Sequence, residues 1–350
     1  MSDVTVNLKS NSLVFEGGFS LQFQRTLRIP DDGKTYPLPP GKGAFPICRV
    51  EDYADNVPQS WLKHGGVFIP MYQREALWIA FESRGRKPNA IKIAVGKINA
   101  VSGKPWQQKL LKSEADYLVA PPQPWLDGIN AGNGLIKQFV AMPLGMGYTV
   151  EGQITGKEEF GGIQIIVYQP KLGKFSSRSQ NNWDFSDDIL ESFNFESFNF
   201  DSMPMAAAAS FKRNRMVSGE MGMAAGGKMK QQIYADPHGI DTWDENDYDR
   251  VYVHIVNSMM YREITGLEPP QTPVTAQTYA QHNLPWFDIY DETMADIAPS
   301  SVLSQVKTVK EMDAKKGFGT QQDDSSLNLT DSKKIQYFIN NPDRVSDSDW

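Results

Sequence analysis

Asp236, His238, Asp241 and Asp244 fall within nine residues of one another, a density of carboxylate and imidazole ligands that hard or borderline divalent cations exploit. The spacing is not that of an EF-hand loop, and a solvated acidic loop is the plainer reading of the same string. If a cation is held there, the chain is a metal-dependent enzyme in which Lys228 or Arg74 grips an anionic substrate; no other cofactor is indicated. Gly222 to Met229, GMAAGGKM, has the glycine and lysine spacing of a phosphate-binding loop. Such a loop needs Ser or Thr after the lysine and a buried strand before it. Met229 and RMVSGE supply neither, so no nucleotide site is expected. The single cysteine, Cys48, forms a nucleophile pair with His64 only if the fold brings them together. His254, within VYVHIV, reads as a core histidine bonded to a neighbour. Arg74 and Glu75 in MYQREALW read as an internal ion pair rather than a ligand clamp.

The elements that would position these groups are mostly strands. Apolar residues between Val4 and Ile29 recur at a spacing of two, broken by Ser-Asn-Ser and Gly17-Gly18, which predicts short strands joined by turns. Ile91, Ile93 and Val95 mark another strand. Tyr148 to Ile154 and Ile163 to Val167, either side of GKEEFGG, predict a hairpin. The proline-rich passages YPLPPGKG (36–43) and APPQPWLDGINAGNG (120–134) predict ordered loops, because proline lacks a ladder donor. A helix is expected to end at Gly266, another to begin at a Thr275 cap, and a third to run from Pro299 to Met312 with Val302, Leu303, Val306, Val309 and Met312 on one face.

Between 171 and 206 the composition changes. Residues 191–202 read ESFNFESFNFDS, a five-residue unit written twice and begun again. A solvated linker is the plainer reading, but it has no need of Phe193, Phe195, Phe198 and Phe200, which can add as a strand to a sheet edge or to a partner. The chain from 203 to 231 holds six of the fourteen methionines, a composition that suits adaptable contacts or core filling.

Net charge is −7, which argues against nucleic acid as a partner. It is uneven: residues 1–170 carry 18 Lys and Arg against 15 Asp and Glu, and residues 171–350 carry 17 against 27. That asymmetry places a boundary near 170 and predicts a β-rich domain (1–170), a low-complexity insert (171–206), a mixed domain (207–316) and a polar tail (317–350) that docks through IQYFI. No apolar run is long enough to span a membrane, and no apolar stretch follows a basic one at the N-terminus, so a cytoplasmic location is expected.

The strings YPLPPGKGAFPI, GGVFIPMYQREALW, QPWLDGINAG, YTVEGQITG with GGIQ, AAGGKMKQQIYADPHGIDTWD and LPWFDIYDE resemble a family of uncharacterised bacterial proteins of similar length. The resemblance covers roughly residues 25–313, without the Phe-Asn insert and the tail, and brings no catalytic or binding residue with it.

Together these observations predict an α+β, β-rich fold, with an N-terminal sandwich or partly open barrel carrying long ordered loops and a smaller mixed region after it. With no complete catalytic constellation, the expected role is non-enzymatic binding or assembly, through protein partners or self-association. The contacts would come from the aromatic loops, Trp125 among them, and the four phenylalanines. The alternatives are the metal enzyme and a sandwich that binds carbohydrate or another small molecule on Trp61, Trp78, Trp106 and Trp125.

Overall fold

A computed structural model describes residues 4–82, 87–111, 115–175, 219–271, 275–281, 286–290, 294–319, 321, 324–327, 329 and 334–338. In chain order the strands are β1 (Thr5–Asn7), β2 (Ser12–Val14), β3 (Ser20–Thr26), β4 (Thr35–Tyr36), β5 (Gly41–Ala44), β6 (Cys48–Arg49), β7 (Val67–Pro70), β8 (Ala76–Glu82), β9 (Asn89–Val95) and β10 (Ile98–Asn99). They continue with β11 (Leu118–Ala120), β12 (Trp125–Leu126), β13 (Gly128–Gly132), β14 (Leu135–Pro143), β15 (Ile163–Pro170), β16 (Glu220–Lys230), β17 (Trp243–Val256), β18 (Trp286–Tyr290) and β19 (Lys334–Phe338). The α-helices are α1 (Gln59–His64), α2 (Val150–Thr155), α3 (Ser258–Thr265), α4 (Ala276–Gln281), α5 (Ser301–Ser304) and α6 (Val309–Lys315).

The first seventeen strands belong to one mostly antiparallel sheet that does not close on itself. It has two arms. In one, β1, β2, β3, β8, β14 and β16 lie side by side; in the other, β9, β15, β17, β7 and β6 do. The arms join where Glu220 and Met221 of β16 pair with Val256 and Ile255 of β17. Leu21, Phe23, Leu77 and Ile79 of the first arm and Ile91, Ile93, Ile165 and Val253 of the second fill one apolar core. The fold is thus α+β and β-rich, and the oppositely charged halves before and after residue 170 contribute strands to the same sheet.

The outer faces are covered as well. Trp61 of α1 and Tyr261 and Ile264 of α3 pack on Phe68 and Val256, and Val309 and Met312 of α6 pack on Ala76, Val140 and Ala224. Strands buried on both sides carry continuous apolar runs rather than alternation. This explains why β8, with Ala76 to Phe81 all buried, shows no two-residue period.

Several sequence expectations are corrected. The predicted hairpin arm at 148–154 is α2: the Thr149 hydroxyl accepts the Gly152 N–H, and Gly156 closes the helix at φ 77°. Val150 and Ile154 are one helical turn apart, which serves a helix as well as a strand. The passage 120–134 is not a plain loop, because Trp125–Leu126 pairs with β8 and Gly128–Gly132 pairs with β14. Likewise Thr35–Tyr36 and Gly41–Ala44, within or beside the first proline-rich passage, pair with β16 and β3. The helix expected from 299 to 312 divides into α5 and α6, since Thr308 is itself an N-cap, with Glu311 completing a capping box. The expectations at Gly266 and Thr275 agree with α3 and α4, and residues 335–338 of the IQYFI string lie in β19, parallel to β18.

What fastens the last part of the chain is charge. Arg74, at φ 70° in the left-handed region, donates to Asp313 at 2.8 Å and Asp324 at 3.1 Å, and Arg28 meets Asp324 at 2.7 Å. Beside them Arg25 donates to Glu75 at 2.7 Å, and the Tyr148 hydroxyl donates to Asp313 at 2.7 Å. Arg74 and Glu75 are therefore both ion-paired internally, but with distant partners rather than each other. Removing one member of a buried pair strands the other charge, so Asp324→Asn is expected to cost about 3–5 kcal/mol. Urea unfolding should show this as a lower midpoint at unchanged slope.

Candidate functional site

The acidic corner does not assemble as a ligand set. The Asp236 carboxylate accepts from the Tyr117 hydroxyl at 2.6 Å, the Trp243 indole at 2.9 Å and the His238 backbone N–H at 2.7 Å. The His238 ring meets Phe175 and Trp243 edge-on, and burial lowers its pKa against the opposing pull of Asp236. Asp244 caps its own turn through the Asn246 N–H at 2.9 Å, and Asp241 is exposed. Among the described residues no three His, Cys, Asp or Glu side chains gather closely enough to hold a metal ion. Short-range carboxylates at this spacing satisfy local backbone donors, a competing use that sequence density alone does not reveal.

The anion-gripping pair also separates. Arg74 is buried and bonded to two carboxylates, while Lys228 is exposed on β16 opposite Lys137 of β14. The GMAAGGKM string lies wholly within β16, whose pairing with β14 shifts register at Gly226 and Gly227. Its glycines serve close packing: a Cβ on Gly227 would lie 2.5 Å from the Pro30 carbonyl oxygen. Cys48 does not meet His64 either. Its thiol lies 4.0 Å from the Tyr261 hydroxyl, and burial pushes its pKa up.

Trp61, Trp78 and Trp125 are buried, the last two edge-to-face at 6.0 Å. None of these three presents an open face, and Trp106 is half-buried, packed against the cluster that holds Tyr117 and Trp243. Phe193, Phe195, Phe198 and Phe200 lie outside the described residues, as does His282.

An arrangement that sequence reasoning left dispersed lies where α1 meets β17. Tyr252 and His254 share one face of β17 by strand alternation. The chain leaves α1 through Gly65 and Gly66 and enters β7, which runs parallel to β17. Gly66, at φ 88°, passes so close that a Cβ would sit 2.1 Å from the Tyr252 carbonyl oxygen. This approach lets four rings lie nearly parallel. His64 stacks on Tyr252 at 4.8 Å and 2°, Tyr252 on His254 at 4.4 Å and 25°, and His254 on Trp61 at 4.2 Å and 16°. The inner members are fixed: Trp61 donates to Glu220 at 3.0 Å, Tyr252 to the Phe160 carbonyl at 2.6 Å, and His254 Nε2 lies 3.1 Å from the Gly65 carbonyl. Burial takes the His254 pKa down to about 3, so its ring is neutral near pH 7, as a core histidine should be. His64 alone of the four is exposed, and burial followed by the charge of Lys97 lowers its pKa.

A second perturbed group lies in the core. Asp127, between β12 and β13, is held by the Trp125 and Gln231 side chains, the Gln231 amide at 2.7 Å. Burial carries its pKa up from 3.8 to about 7.

No family model, no curated protein and no solved structure matches the chain. Among the described residues no helix is long and apolar enough to cross a membrane.

Because the Asp127 pKa is raised on folding, its contribution to stability is complete below pH 3.8 and is lost as pH rises through 7. Wild-type protein should therefore lose on the order of 2–4 kcal/mol between pH 5 and 8 relative to Asp127→Asn, which carries no titrating group there. Urea unfolding at the two pH values measures the difference.

Proposed function

We propose that this chain is a binding or assembly protein whose contacts are made by the connection between β15 and β16. The observation that carries this reading is the length of that connection against the distance it must cover. Pro170 at the end of β15 pairs with Trp243, at one end of β17, and Glu220 at the start of β16 pairs with Val256, at the other. The connection therefore has to return along the whole of the 14-residue β17, roughly 45 Å at strand rise. About 14 extended residues suffice for that; residues 171–219 supply 49. The surplus contains the two ESFNF units, whose paired phenylalanines are costly to leave in water and suited to strand addition or to apolar contact with a second chain.

Deletion of residues 185–205 leaves more chain than the span requires, so the sheet is expected to keep its unfolding midpoint. The full chain should sediment as an oligomer at micromolar concentration, and the deletion variant as a monomer. Full-length protein that is monomeric at every concentration, with the same sedimentation after deletion, would overturn the proposal.

A further inference from the structure

We propose that the exposed ring of His64, with Lys97 beside it, is a binding site for a planar aromatic molecule bearing a negative charge. The proposal does not rest on the partner-binding reading. It rests on two independent features of the backbone and on the rings they position.

The first feature is the ring cluster. His64 and His254 lie 6.1 Å apart and both stack on Tyr252, the His64 plane 2° from that of Tyr252, and His254 stacks in turn on Trp61. An exposed aromatic ring held flat against another is pre-organised for stacking, since less side-chain freedom is left to lose when a ligand ring settles on it. The position is fixed by the glycine pair, because any side chain at Gly66 would drive α1 away from β17.

The second feature is Lys97. It occupies the turn between β9 and β10 at φ 60°, after Gly96 at φ 56°, a turn position where Asn or Gly is favoured and a long side chain is strained. Its N–H is clamped by Gln164 Oε1 at 2.6 Å, and its ammonium rests on the Phe160 ring, 4.0 Å from the centroid. The Phe160 loop is itself pinned, with the N–H groups of Glu159, Phe160 and Gly161 all donating to the buried Glu151 carboxylate. The Phe160 carbonyl also accepts the Tyr252 hydroxyl. A continuous set of contacts therefore runs from His64 through Tyr252 and Phe160 to Lys97, and the charge of Lys97 is felt at the His64 ring. Lys63, exposed on α1 next to His64, adds a second cation. Glu220, the acidic group nearby, is engaged by the Trp61 indole.

An exposed ring beside a fixed cation selects a ligand with a flat π-face at one end and an anionic group at the other. A nucleotide and an aromatic carboxylate share that chemistry. The test is a titration of full-length protein followed by the NMR signal of the His64 Hε1 proton, with AMP, 2-naphthoate, adenosine and ribose 5-phosphate as probes. AMP or 2-naphthoate is expected to move the signal upfield by ring current, and whichever binds more tightly identifies the source. Followed by isothermal titration calorimetry, His64→Ala should weaken binding of AMP or 2-naphthoate by at least about fivefold, the lower end of what one stacked base contributes. Lys97→Gly relieves the left-handed strain and so should keep the fold; it should weaken the two anionic aromatic probes, AMP and 2-naphthoate, several-fold and leave adenosine unchanged. The proposal is overturned if none of the four probes moves the His64 signal. It is equally overturned if ribose 5-phosphate binds as well as AMP, or if Lys97→Gly leaves the anionic probes unaffected.

Discussion

Buried charge has to be matched where it lies, and in this protein that requirement ties the end of the chain to its beginning. Arg25, Arg28 and Arg74 come from the first arm of the sheet or the turns beside it, and their carboxylates are Glu75, Asp313 and Asp324. Two of the three acids arrive only after residue 300, so Arg28 and Arg74 meet Asp313 and Asp324 only when the last part of the chain has docked. The same docking lays Val309 and Met312 over Ala76 and Val140 and passes the Ser304 and Val306 carbonyls to the ammonium of the buried Lys137. A sheet covered on both faces, with a charged seam under one cover, is complete only when that cover is present. Arg74 accepts a left-handed backbone within this arrangement, strain that persists where surrounding bonds fix the residue.

This organisation decides what could be read from the residues alone. The short strands near the N-terminus alternate, and the strand at 163–167 is bounded by glycines, so both were legible. β8, β14 and β16 were not, because strands apolar on both faces lose the two-residue period that identifies them. Proline content misled at 120–134. Pro121, Pro122 and Pro124 all precede the paired residues, and the strands begin directly after them. The cap at Thr308 was present in the sequence as Thr followed three residues later by Glu, but the apolar face running past it concealed the break.

The candidate site was legible in its parts and not in its assembly. VYVHIV places Tyr252 and His254 on one strand face, and the HGG string marks a helix end with unusual backbone freedom. Nothing local says that residue 64 lies on residue 252. The acidic string at 236–244 failed in the opposite way. It looked like a site because its carboxylates are close in sequence, yet they are close because they serve their own turns and the Tyr117 and Trp243 donors. Internal bonding absorbs the clustered carboxylates, and the open ring and fixed cation come from residues that no short motif joins.

The dependence of the whole sheet on its charged seam is tested most directly by native-state hydrogen exchange of wild-type protein and Asp324→Asn. If the seam holds both arms, the variant should lose protection together across β3, β8, β9, β14, β15 and β17, with the same decrease in opening free energy throughout. Faster exchange confined to residues 300–327, with β9 and β15 as protected as in wild type, would contradict the account.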